Sequence, residues 1–180
     1  MNLENLTVHE EQLMAQVDQV QGVTEERMRQ LQERGVFGTY DRVYQAYVDM
    51  IVDTTIEGTE ALKRALFLQW IAFLEPSFFT GIGELDRNLQ RRVLEEVQRR
   101  VERSQTDDEL VWMLRWYDSI TEWYFDDFAD LPLLHQFLQD KYPDIQLARI
   151  FTKESVTRRG QMGVYWLSML ESQEGRDKQS

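Results

Sequence analysis

Apolar positions recur three and four residues apart along most of the chain, and no stretch alternates long enough to suggest a strand. In residues 8–33 the apolar positions Leu13, Val17, Val20, Met28 and Leu31 form a thin stripe. Gly22 reads as a break there, with Thr24 as the cap of the second half. A stripe this narrow, flanked by glutamine and glutamate, packs on one partner only. Residues 1–34 are therefore expected to form a loosely packed N-terminal helical arm. After a turn at residues 35–38, Tyr40, Val43, Tyr44, Tyr47, Val48, Ile51 and Thr55 mark an amphipathic helix that Gly58 ends.

Thr59 then caps a helix over residues 60–74. Beyond Ala65 it is apolar on nearly every face (Leu66, Phe67, Leu68, Trp70, Ile71, Phe73, Leu74), which suits the middle of a bundle. Pro76 stops it, because the residue before a proline is pushed out of helical geometry. Residues 76–83 read as an apolar connection. Residues 84–103 carry Leu85, Leu89, Val93, Val97 and Val101 at four-residue spacing. A turn at Ser104 and Gln105 leads to a capping box from Thr106 to Glu109, which opens a helix running to about residue 130. Asp130 is expected to cap a short helix with Pro132 in its first turn, reaching Lys141. Further helices follow over residues 144–154 and 161–173, with a disordered tail at 174–180. The pattern predicts one all-α domain over residues 1–173, a helical bundle of about seven to nine helices.

Residues 107–130 combine three of the five tryptophans with a dense set of carboxylates. On a helical wheel Trp112, Trp116 and Trp123 share one face, with Met113, Tyr117, Ile120, Tyr124 and Phe128 beside them. Asp118, Glu122 and Asp126 stand in line on the remaining strip. Such a ladder suits a hard divalent cation such as Mg or Mn, with Asp49 and Asp53 as ligands from an earlier helix. The simpler reading is a solvated face. In an antiparallel hairpin with residues 84–103, Asp118 falls near Arg91 and Arg92, Glu122 near Arg87, and Arg115 near Glu95 and Glu96. Exposed pairs of this kind contribute little, but they explain the pattern without a ligand. Asp126, Asp127 and Asp130 oppose the macrodipole if the helix runs that far, and Asp127 borders the tryptophan face.

The net charge of −12 opposes sequence-independent nucleic-acid binding, which needs basic side chains against phosphates. Absence of cysteine rules out disulfides, thiolate zinc sites and a cysteine nucleophile, and fits a cytoplasmic location. No signal peptide is recognisable at the N-terminus. The apolar run at residues 65–74 is too short to span a bilayer. Neither His9 nor His135 completes a Glu-x-x-His pair. Glu57 and Glu60 have a metal-binding spacing, but Gly58 and Thr59 read as a helix break between them. Thr80-Gly-Ile-Gly83 follows no strand and lacks the lysine of a phosphate loop.

Arg158-Arg159-Gly160 precedes a compact apolar helix. These arginines are expected to meet residues 106–145, which hold ten acidic side chains against two basic ones. The leading functional expectation is a non-enzymatic protein–protein interaction module, self-associating as a possible homodimer through Trp112, Trp116 and Trp123 with Asp127 at the rim. The alternatives are an all-α metal-dependent (phospho)hydrolase and a small apolar ligand held near Trp70, Phe78 and Phe79. No cofactor is expected for the leading reading, and no membrane or nucleic-acid partner.

Overall fold

Most of the longer helices begin where a side chain reaches back to free backbone N–H groups. Asn2 accepts from the Asn5 N–H at 2.9 Å and starts α1 (Leu3–Asp18). Thr55 accepts from Gly58 and starts α4 (Ile56–Leu74). Asp86 accepts from Asn88 and Leu89 and starts α6 (Arg87–Glu102). Asp107 accepts from Leu110 at 2.8 Å and starts α7 (Asp108–Ile120). Between them lie α2 (Thr24–Glu33), α3 (Val36–Met50) and the single turn α5 (Ser77–Thr80). Then come α8 (Pro132–Gln139), α9 (Leu147–Ile150), α10 (Lys153–Val156) and α11 (Gly160–Asp177). The computed structural model describes residues 2–52, 54–121, 123–140 and 147–177. Among these it is all-helical with no strand, and eight helices have seven residues or more.

Several boundaries differ from the sequence expectation, each for a local reason. Thr55 takes the capping role expected of Thr59, so Gly58 lies inside the first turn of α4 and the helix runs through it. Asp107 displaces Thr106, since its carboxylate reaches the Leu110 N–H. Asp130 does not cap α8; its carboxylate pairs with Arg91 instead. Gly35 takes a left-handed φ of 69°, a conformation that suits glycine, and the chain re-enters a helix at once at Val36. The helix expected at residues 144–154 is two short ones, and its start lies outside the described residues. The last helix continues to Asp177, past the tail expected from 174.

Helix α4 occupies the centre, as its composition predicts. Residues 61–71 are buried without interruption, and α4 packs against α3, α6 and α11. In place of a loose arm, α1 buries Leu6, Leu13 and Val17 against α3 and α11. The expected hairpin partner of α6 is replaced. Helix α6 packs chiefly on α8 and α4, while α7 touches α8 and α9. None of the described helices is long and apolar enough to cross a membrane.

Candidate functional site

Helix α7 stops at Ile120, and this termination shapes the surface. Thr121 leaves helical geometry (φ −139°, ψ 75°). Its hydroxyl donates to the Tyr117 carbonyl at 2.8 Å and accepts from the Trp70 indole N–H at 3.0 Å. The chain then tightens, with Tyr124 N–H donating to the Thr121 carbonyl and Phe128 N–H to that of Phe125. A tighter winding shifts the phase of the side chains. Tyr124, Phe125 and Phe128 turn inward, whereas Trp123, Asp126 and Asp127 turn outward.

The tryptophan face is thereby divided. Trp112 and Trp116 stack on each other at 5.3 Å, and both meet Trp166 of α11 edge-on, Trp112 also meeting Phe151. The Trp116 indole donates to the Tyr165 hydroxyl at 3.2 Å. These two rings are half-buried and belong to the edge of the core. Trp123 is 63% exposed. Phe73 in α4 and Ile120 at the end of α7 are 46% and 44% exposed. Phe73 packs 5.3 Å from Tyr124, and the Trp70–Thr121 bond brings the end of α4 against the end of α7. Exposed apolar side chains thus stand where the ends of α4 and α7 meet, and Asp126 and Asp127 follow Trp123 in the same exposed turn. Arg87 lies 3.6 Å from Asp127, and Arg91 pairs with Asp130 one turn further along α6. The Arg91 guanidinium holds the Asp130 carboxyl below the usual aspartate value.

The carboxylate ladder is not assembled. Asp118 lies in the last turn of α7, Asp126 lies beyond the helix end, and Glu122 is outside the described residues. Asp49 accepts from Gln45 at 2.7 Å on the wall of an open groove of about 890 Å³ between α3 and residues 84–92. Asp53 is outside the described residues. Among the described residues no three acidic or histidine side chains come close enough to hold a metal ion. His135 faces the Phe128 carbonyl at 3.2 Å. Phe78 is half-buried and packs on the core, while Phe79 is exposed. Arg27 lies over both rings and donates to the Phe78 carbonyl at 3.2 Å, fastening α2 to α5. Trp70, the third residue of the expected apolar site, is fully buried and stacks on Tyr117 at 4.2 Å.

A buried ionic network, which the wheel did not reveal, lies in the N-terminal half of α4. Glu60 accepts from Arg64 at 2.7 Å and from Arg159 Nε at 2.8 Å. Arg159 also pairs with Glu109 at 2.6 Å, so one arginine of the basic turn does meet the acidic region. Lys63, almost fully buried, bridges Asp107 and Glu109 at the start of α7. Burial pushes the Glu60 carboxyl up, but Arg159 and Arg64 outweigh it and its pKa lies below the ordinary glutamate value. The available signal was Lys63-Arg64 itself, two cations flanked by the apolar Ala61-Leu62 and Ala65-Leu66-Phe67-Leu68.

Glu10 extends this network to the ends of the domain. Its carboxyl accepts from the Tyr47 hydroxyl and from the Gln161 N–H at 3.0 Å, filling the N-terminus of α11. Gly160 has a φ of +58°, and a Cβ there would collide with the Glu10 carboxyl, so glycine is required on both counts. Burial raises the Glu10 pKa against the opposing bonds from Tyr47 and Gln161 and the charge of Arg64. A carboxyl raised in the folded state contributes stability fully below its unfolded pKa, and that contribution is lost as pH rises through the folded value. Glu10→Gln should therefore gain in urea-unfolding midpoint relative to the wild type as pH rises from acid to mildly alkaline. Parallel curves for the two proteins would refute this. Searches against protein-family models, characterised proteins and solved structures return no match to this chain.

Proposed function

We propose that the chain is a non-enzymatic helical protein–protein interaction module that self-associates through an aromatic surface centred on Trp123. The observation that carries this reading is the exposure of Trp123, with Phe73 and Ile120 also exposed where the ends of α4 and α7 meet, while the other aromatics of the segment pack inward. Tryptophan exposed within an apolar corner is the side chain most often found to dominate association energy. Support also comes from the ionisable groups. Glu60 is engaged with Arg64 and Arg159, Lys63 with Asp107 and Glu109, and Glu10 with Tyr47 and the Gln161 N–H, contacts that hold helices together.

Sedimentation velocity over a micromolar concentration series tests the proposal. The wild type is expected to show a mass that increases with concentration. Trp123→Ser is expected to remain monomeric while changing unfolding free energy by no more than about 0.5 kcal/mol, as for other surface substitutions. A wild type that stays monomeric, with Trp123 fully open to acrylamide at every concentration, removes the basis of the reading.

A further inference from the structure

We infer that the self-association is two-fold symmetric and keyed by charge, with Arg87 of one copy facing Asp126 and Asp127 of the second. This rests on the proposed association through Trp123. A stable protein interface covers roughly 800 Å² per partner. Trp123, Phe73 and Ile120, each partly covered already, cannot supply that area, so the surrounding side chains must join the contact. Those surroundings carry both signs. The tight turn after Thr121 turns Asp126 and Asp127 outward, and the first turn of α6 places Arg87 beside Asp127.

Arg87 and Asp127 satisfy each other poorly within one chain. Their 3.6 Å separation exceeds a good hydrogen bond, and the two side chains remain 70% and 65% exposed. The Arg87 guanidinium lies 6.0 Å above the Phe128 ring, which holds it at the rim. In a two-fold contact, residue i meets j and j meets i. A rim with a cation next to an anion is therefore complementary to itself. A uniformly basic or acidic partner would be repelled by half of it. Two copies that each carry −12 also repel at a distance, so a homotypic contact requires locally opposed charges.

Arg87→Glu and Asp127→Arg test this by sedimentation at low ionic strength, separately and as an equimolar mixture, with Trp123→Ser as reference. Each charge variant alone sets like charges against each other twice and should weaken association by roughly tenfold or more. The mixture should restore it, because the introduced glutamate then faces the introduced arginine, while the native Arg87 of the other copy keeps an aspartate opposite. If both variants associate like the wild type while Trp123→Ser does not, the charge key fails and the aromatic reading stands. If each is weakened and the mixture does not recover, the two-fold arrangement fails. Association unchanged in Trp123→Ser, or absent in the wild type, overturns the aromatic reading itself.

Discussion

Glu60→Ala is expected to lower the unfolding free energy by about 3–5 kcal/mol, the usual effect of removing one partner from a buried charge pair. One carboxylate serves two guanidinium groups here. Without it, Arg64 retains the Thr7 and Tyr47 hydroxyls and the Arg158 carbonyl, none of which carries a countercharge. Arg159 retains Glu109, which Lys63 also uses. Equilibrium urea unfolding at neutral pH measures the effect. Glu60→Leu combined with Arg159→Met should cost less than the sum of the two single changes, because the pair then leaves together. A loss below about 1 kcal/mol in Glu60→Ala would mean that the arginines find water, contrary to the burial of their side chains.

Trp166→Ala should be comparably damaging, at about 3–5 kcal/mol, for a different physical reason. Its ring is fully buried and lies 5.0 Å from Phe151, 5.2 Å from Trp112 and 4.7 Å from Tyr165. Removing it takes away the surface on which Trp112 and Trp116 rest. Urea unfolding should report the loss. Acrylamide quenching of the folded variant should report newly accessible indoles at residues 112 and 116. The contrast with Trp123→Ser is the informative part: one tryptophan supports the fold, and the other is dispensable to it. Equal stability losses in the two variants would contradict the division of the aromatic face.

Much of the architecture was legible because helical spacing and burial are local. The stretch after Ala65, apolar on nearly every face, placed α4 in the centre, and Tyr40, Tyr44 and Tyr47 marked α3 as amphipathic. The end of α7 was harder to read. Residues 110–128 are apolar at helical spacing throughout, and only Thr121, with the carboxylates that would oppose the dipole, argued for an earlier stop. Ending at Ile120 moved Trp123 off the tryptophan face. It also placed Asp127 and Asp130 beside Arg87 and Arg91. A stop a few residues before the apolar spacing ends thus leaves Trp123 exposed while Trp112 and Trp116 pack on the core. The ionic network was beyond local reading, since Glu60 meets Arg159 across 99 positions and Glu10 meets Gln161 across 151.

The Glu10–Gln161 bond also sets the order of events during synthesis. A ribosome adds ~5–20 residues per second, so roughly ten to thirty seconds separate the emergence of Glu10 from that of Gln161. Throughout that interval the apolar stripe of α1 lacks α11, one of its two main packing partners. Cooperative closure must therefore await α11, and the nascent chain carries Leu6, Leu13 and Val17 incompletely covered until that helix has been made.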